Sequence, residues 1–223
     1  MISVAVFDLD GTLIDSYRDI ASALDEVLVE VGAAPLGPDV IRTMIGGGAK
    51  VLIQRALGER VDELFEATHA RFYDAYRRRL LETTRPYDGV RAMLDGLRAA
   101  NVTCAIATNK PAAFTVPVVE GLALGLAAAS ADEVPNKKPD PAVVHLALER
   151  AGCAGIDPQE VAYVGDMPID AATAARFGGP FFGVRWGFDP EGLRAQVSTL
   201  SRTPAELLDR LLGRSAPEET IDK

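Results

Sequence analysis

Residues Ile2 to Phe7 form a short, mostly apolar and β-branched run that stops abruptly at two carboxylates one residue apart, Asp8-Leu9-Asp10, followed at once by Gly11-Thr12. Such a run without polar alternation predicts a strand buried on both faces, the position of a central strand in a parallel sheet. In open α/β sheets ligands sit beyond the carboxyl ends of strands, so Asp8 and Asp10 stand where a site is expected. Taken alone, Asp8-Leu9-Asp10-Gly11 reads first as a strand-ending turn, because Asp and Gly both favour turns. The later strand ends decide between these readings.

From Ser16 the period becomes helical. Tyr17, Ile20, Ala21, Leu24, Val27, Leu28 and Val31 recur at three- and four-residue steps, one apolar stripe that ends at Gly32. A short helix through Val40, Ile41 and Met44 meets Gly46-Gly47-Gly48 and restarts through Val51, Leu52 and Leu57; another begins near Val61 and carries Leu64, Phe65, Phe72, Tyr76 and Leu80. Some seventy residues of helix with no strand exceed an ordinary βα connection, so residues 16–85 are expected to form an inserted helical cap domain, with residues 1–15 and 86–223 as the core. After Pro86-Tyr87-Asp88-Gly89 strands and helices alternate. Strands are expected at Val102–Ala107, Ala127–Ser130, Val161–Val164 and Phe181–Val184, with helices near 90–97, 113–122 (made irregular by Pro117), 141–151 and 169–177. Thr203-Pro204-Ala205-Glu206 reads as an N-cap, proline at the first helical position and a glutamate at the third. Ser215 to Lys223 is polar and expected to fray. The whole is an α/β chain, a doubly wound parallel sheet with a helical insert.

Polar clusters follow three of these strands: Asp8/Asp10, Thr108/Asn109 and Asp166/Asp170; a fourth, Lys137-Lys138-Pro139, precedes a helix. Ordinary turn chemistry does not supply carboxylates, a hydroxyl–amide pair and a lysine at successive strand ends. Together they fit hydrolysis of a phosphate monoester, which needs a nucleophile, a proton donor for the leaving oxygen and cations on the phosphoryl oxygens. Asp8 can attack phosphorus, and Asp10 can protonate the leaving group and then activate water. Thr108 and Asn109 can donate hydrogen bonds to the phosphoryl group, and Lys138 can neutralise it. Magnesium, which prefers oxygen ligands, suits Asp8, Asp166 and a backbone carbonyl at Asp10. Lys137 reads as a solvated neighbour, and Thr108 or Asn109 can alternatively cap the following helix.

These four segments resemble the motifs of the haloacid dehalogenase superfamily of phosphotransferases. VFDLDGTLIDS at 6–16 matches its first motif, ATN at 107–109 its second, NKKPDP at 136–141 its third and VGDMPID at 164–170 its fourth. The resemblance implies Asp8 as nucleophile, Asp10 as acid/base and Lys138 as the phosphate-binding lysine. It also implies Asp8, the Asp10 carbonyl and Asp166 as metal ligands, with Asp170 supporting them. The dehalogenase branch lacks the second aspartate, so Asp10 favours phosphoryl chemistry, which phosphomutase relatives share. MIGGGAKVLIQRAL at 44–57, TRPYDGV at 84–90 and VPNKKPDP at 134–141 are similar to phosphoglycolate phosphatases. That narrower likeness implies that Gly46 and Gly47 enter the site and offers Arg55 for a distal carboxylate of the substrate. The chain departs from the group's pattern at Gly47, where Asn is usual, at Asp140, where His is usual, and at Met167-Pro168. The rival readings are another small-molecule phosphatase, a β-phosphoglucomutase-type mutase, or a non-catalytic phosphoryl- or partner-binding protein on the same fold.

A net charge of −9 argues against non-specific binding to nucleic acid or to an anionic membrane, so an anionic substrate must be attracted locally. No apolar run approaches the roughly 20 residues of a membrane span, and no basic leader precedes the first strand. Cys104 and Cys153 form neither a CxxC pair nor a disulfide framework. The expectation is a cytoplasmic monomer or homodimer whose partner is a small phosphorylated metabolite. His69, His145 and the Arg77–Arg79 run attract no role, and Trp186 and Phe188 are divided between the core and the pocket mouth.

Overall fold

The computed structural model describes residues 1–214; the Ser215–Lys223 segment, expected to fray, lies outside the described residues. The founding strand is β1, Val4–Phe7, buried along its whole length. Val4 and Val6 pack into one hydrophobic cluster, while Ala5 and Phe7 join the other, so both faces of β1 are covered, as the unbroken apolar run requires.

A tight turn follows, in which the Leu9 carbonyl accepts from the Leu13 and Ile14 amides at 3.0 and 3.1 Å. It leads to β2, Ile14–Asp15. Four helices come next: α1 Tyr17–Glu30, α2 Pro38–Arg42, α3 Ala49–Leu57 and α4 Val61–Arg79. The chain returns through β3, Arg85–Pro86, which pairs antiparallel with β2. This ribbon was not anticipated, because two residues carry no legible period. Asp19, near the start of α1, accepts from the Thr84 amide and hydroxyl at 2.8 and 2.7 Å, so both ends of the helical stretch are tied together beside the ribbon. The described chain contains no strand between residues 16 and 84; Arg85, expected to belong to the helical stretch, instead opens β3.

The remainder alternates: α5 Val90–Ala99, β4 Thr103–Thr108, α6 Ala112–Gly121, β5 Ala127–Ser130, α7 Ala142–Arg150, β6 Val161–Gly165, α8 Pro168–Phe177, β7 Phe181–Val184, α9 Pro190–Arg194, β8 Leu200–Ser201 and α10 Pro204–Leu211. Helix α6 runs continuously through Pro117. Thr203 caps α10 by accepting from the Glu206 amide, in line with the sequence signal. Strand β8 and helix α9 went unread, both being too short to show a period. The six strands β5-β4-β1-β6-β7-β8 form one parallel sheet. Order runs outward from β1 in both directions, so the topological switch falls at β1, where Asp8 leaves the sheet. Phe7 is level with Ile106 of β4 and Val164 of β6, which brings the Asp8, Thr108–Asn109 and Asp166 strand ends to one edge.

Candidate active site

Asp8 is almost fully buried at the carboxyl end of β1, and its amide donates to the Val164 carbonyl at 2.9 Å. Its Oδ1 accepts from the Leu9 amide at 2.8 Å and lies 2.9 Å from Lys138 Nζ. The same ammonium donates to Asp170 Oδ1 at 2.8 Å, so one lysine bridges carboxylates from β1 and from the first turn of α8. Asp170 Oδ2 accepts from the Met167 amide at 3.1 Å, a reciprocal cap that fixes its carboxylate at the helix start. Asp166, wholly buried just beyond β6, accepts from Thr12 Oγ1 at 2.7 Å and from the Phe188 amide at 2.7 Å.

Ligand oxygens of Asp8, Asp166 and Asp170 all lie within 4.8 Å of one another. Burial pushes the Asp8 carboxyl up to about 6, against the pull of Lys138 and with a further push from Asp170. Burial, reinforced by Asp170 and Asp8, likewise raises Asp166 well above the usual carboxylate range. Burial disfavours the Lys138 ammonium, but Asp170 and Asp8 outweigh it and hold the charge. Three buried carboxylates with a single ammonium, paired to Asp8 and Asp170, leave negative charge uncompensated, and their donors are all oxygen. That set fits a hard divalent cation. Space is kept around it by glycine: a Cβ on Gly11 (φ 89°) or on Gly187 would run into the Asp166 side chain.

Asp10 stands apart from this cluster. Its Oδ1 accepts from Ser16 Oγ at 2.6 Å, and Lys110 Nζ donates to its two oxygens at 3.0 and 3.1 Å. Asp8 and Asp10 line a cavity of about 40 Å³, enough for a few waters, with Thr108, Asn109, Gly46 and Gly48 also in its wall. Of the expected site residues, Asp8, Asp10, Thr108, Asn109 and Gly46 line this cavity; Lys138, Asp166 and Asp170 lie with Asp8 in the carboxylate cluster outside its wall, and Arg55 and Gly47 are also outside it. Arg55 is exposed on α3 and donates to the Met44 carbonyl at 3.0 Å, away from the cavity wall. Gly47 faces Lys137, whose Nζ donates to the Gly47 carbonyl at 3.0 Å. That contact gives the supposed solvated lysine a partner on the glycine loop.

Asn109 also reaches the loop. Its Nδ2 donates to the Gly46 carbonyl at 3.1 Å, and its Oδ1 accepts from the Lys138 amide at 3.0 Å. Gly48 (φ 83°) packs so near the Asn109 carbonyl that a Cβ would stand 2.9 Å from that oxygen. Neither Thr108 nor Asn109 caps α6, whose first position follows Pro111; Thr108 Oγ1 instead accepts from the Lys110 amide at 3.2 Å. Sequence reasoning missed Thr12, Ser16, Tyr76 and Lys110. Thr12 and Ser16 sit inside the first motif and Lys110 directly after the second, so proximity to the aspartates was the available signal. Tyr76 read only as part of an apolar stripe.

A family model described as haloacid dehalogenase-like hydrolase matches residues 5–184. The chain is 38% identical over 195 residues to a phosphoglycolate phosphatase of Pseudomonas putida, an overlap of 83% of this chain and 70% of the relative. It is 36% identical over 192 residues to a phosphoglycolate phosphatase of Agrobacterium fabrum, covering 83% and 81%. Its backbone matches the crystal structure of a "predicted phosphoglycolate phosphatase" from Haemophilus somnus with a TM-score of 0.83 at 25% identity, over 94% of this chain and 97% of that one. The likeness thus extends over nearly the whole chain, and the chain belongs to the haloacid dehalogenase-like hydrolases.

Proposed function

We propose that the protein is a magnesium-dependent phosphatase of small phosphate monoesters, most specifically of 2-phosphoglycolate, working through an aspartyl-phosphate on Asp8. The observation that carries this reading is the division of labour between two carboxylates. Both line the cavity, but Asp8 is paired with Lys138 within the buried acidic cluster, while Asp10 has hydroxyl and ammonium partners of its own. The names of the relatives support the choice of substrate.

In this reading Asp8 Oδ2, engaged by neither Leu9 nor Lys138, attacks phosphorus, and the ester P–O bond breaks as the Asp8–phosphorus bond forms. Asp10 gives its proton to the departing oxygen, then takes one from the water that cleaves the acyl-phosphate. Thr108 and Asn109 orient the phosphoryl oxygens, and Lys138 offsets their charge. Asp8, Asp166 and the Asp10 carbonyl would hold magnesium, with Asp170 supporting them; when bound, the ion supplies charge neutralisation at the phosphoryl group. Residues 16–85 act as a cap that excludes water, joined to the core through the Ile14–Asp15 and Arg85–Pro86 ribbon. The described residues include no helix long and apolar enough to cross a membrane, which accords with a cytoplasmic enzyme on a soluble metabolite.

The test is a panel of phosphoesters assayed with magnesium and with chelator. Chelator-sensitive turnover with 2-phosphoglycolate ranked first is the expected result. If 2-phosphoglycolate ranks no higher than unrelated monoesters, the narrow substrate is wrong; if p-nitrophenyl phosphate and the whole panel survive intact, the phosphatase reading is.

A further inference from the structure

Lys110 is the one cation among the described residues that line the cavity, and the reaction outlined above gives it no task. Lys138 is held behind Asp8 and Asp170. Lys110 is nearly as buried, yet its surroundings differ. Its Nζ reaches both oxygens of Asp10 at 3.0 and 3.1 Å and donates to the Tyr76 hydroxyl at 2.6 Å. Tyr76 comes from α4, a different element from the β4 strand that Lys110 follows, and packs with its ring against Phe114 at 4.8 Å and Phe72 at 5.6 Å. The rest of that wall is apolar, with Ile20, Ile45 and Leu52. A buried ammonium would be satisfied by Asp10 alone more cheaply than by a tyrosine brought from a second element. The three donors of the ammonium meet the two Asp10 oxygens and the Tyr76 hydroxyl, so an incoming carboxylate takes its place by exchange with one Asp10 oxygen, which Asp10 gives up as an acceptor when it carries its proton.

We infer that Lys110, aimed by Tyr76, is the specificity-determining residue that receives a carboxylate carried by the leaving group, so that the site selects phosphate esters of short 2-hydroxy acids. The inference rests on the reading that Asp8 and Asp10 hydrolyse a phosphate ester. Asp10 must then lie about 3 Å from the ester oxygen, and Lys110 lies 3.0 Å from Asp10. A carboxylate one CH₂ beyond that oxygen, two bonds of about 1.5 Å each, comes within hydrogen-bonding reach of the ammonium. A methyl group in its place has nothing to offer there, and a site built to pair a polar group discriminates strongly against an analogue that lacks it. The apolar wall removes competing water and strengthens the ion pair. A single buried cation beside the leaving group also answers how an acidic protein holds a dianionic or trianionic substrate: the attraction is local.

The experiment compares kcat/KM for 2-phosphoglycolate and for ethyl phosphate, which replaces the carboxylate by methyl, in the wild-type full chain and in Lys110→Met and Tyr76→Phe. The wild type is expected to favour 2-phosphoglycolate by well over tenfold. Lys110→Met is expected to lower that ratio by about 10- to 100-fold, mostly through KM for 2-phosphoglycolate, and Tyr76→Phe to lower it in the same direction by less. Thermal melts establish folding; if Lys110→Met does not fold, Tyr76→Phe, which deletes one oxygen, carries the comparison. Equal losses on both esters, with the ratio unchanged in a folded variant, would overturn the inference and leave the phosphatase reading standing. A wild type that hydrolyses neither ester would sink the phosphatase reading and this inference with it.

Discussion

Lys138 Nζ stands 2.9 Å from Asp8 Oδ1, yet that ammonium does not bring the Asp8 carboxyl down: burial and the nearby Asp170 hold it up at about 6. The lysine is shared with Asp170, and one positive charge cannot balance three buried carboxylates. The cluster is therefore a standing cost to the metal-free fold.

That cost has a definite pH signature. An unfolded Asp8 ionises near 3.8 and the folded one near 6, so between those values the folded state holds the extra proton. Stability contributed by that proton is present at low pH and is lost as pH rises through about 6. Asp166, also raised, acts in the same sense. Metal-free protein is expected to lose roughly 2 kcal/mol from Asp8 between pH 4 and 7. Denaturant melts in chelator would reveal this as a slope that flattens in Asp8→Asn; parallel pH curves for the two proteins would refute it.

Removing the Asp8 charge is expected to abolish turnover while keeping the fold. Asn offers the same shape to the Leu9 amide but no anionic oxygen to attack phosphorus. Turnover of Asp8→Asn on 2-phosphoglycolate or p-nitrophenyl phosphate should drop by at least about a thousandfold. Near-normal hydrolysis in the folded variant excludes Asp8 as the nucleophile.

Asp166 provides a second route to the cation. Magnesium in hundredfold excess over its dissociation constant should stabilise the wild type by about 2.7 kcal/mol, seen as a rise in melting temperature. In Asp166→Asn, whose amide oxygen can still accept from the Phe188 amide while the Thr12 hydroxyl turns to accept from the new NH2, that rise is expected to vanish and activity to drop at least about a hundredfold. The same magnesium-induced rise in the variant as in the wild type would remove Asp166 from the metal site.

The sheet and the edge where the site forms were legible because each rests on a long pattern. The apolar run into Asp8 announced a doubly covered strand, and three polar clusters at strand ends, with a fourth before a helix, announced convergence. Short elements escaped: the ribbon Ile14–Asp15 with Arg85–Pro86, and Leu200–Ser201, have two residues per strand and no period to read. Within the candidate site, the carboxylates and the lysine that chemistry demands were visible, whereas the side chains that hold them, Thr12 and Ser16 inside the first motif and Tyr76 on α4, were not. Tyr76 belongs to an apolar stripe, and only the folded chain shows its hydroxyl turned onto Lys110 from thirty-four residues away. Arg55 illustrates the converse, a plausible charge whose helix faces it toward solvent and the Met44 carbonyl.

Gly187 makes the last prediction, and it separates packing from charge. Its backbone is continuous with the Phe188 amide that holds Asp166 Oδ2 at 2.7 Å, and its carbonyl accepts from Arg42 Nη2 at 2.6 Å. A Cβ there would collide with the Asp166 side chain, which Thr12 and Phe188 pin from the other sides. Gly187→Ala adds one methyl and no charge, so either the carboxylate turns away from the cluster or the Trp186–Phe188 segment backs off. Overpacking of this kind costs about 1–3 kcal/mol of stability. The sharper effect is expected on the cation: the magnesium concentration giving half of the thermal shift should rise at least about tenfold, because a ligand oxygen has left its position. Circular dichroism would establish that the variant folds. An unchanged magnesium midpoint in folded Gly187→Ala would mean that the position of Asp166 does not govern the metal site.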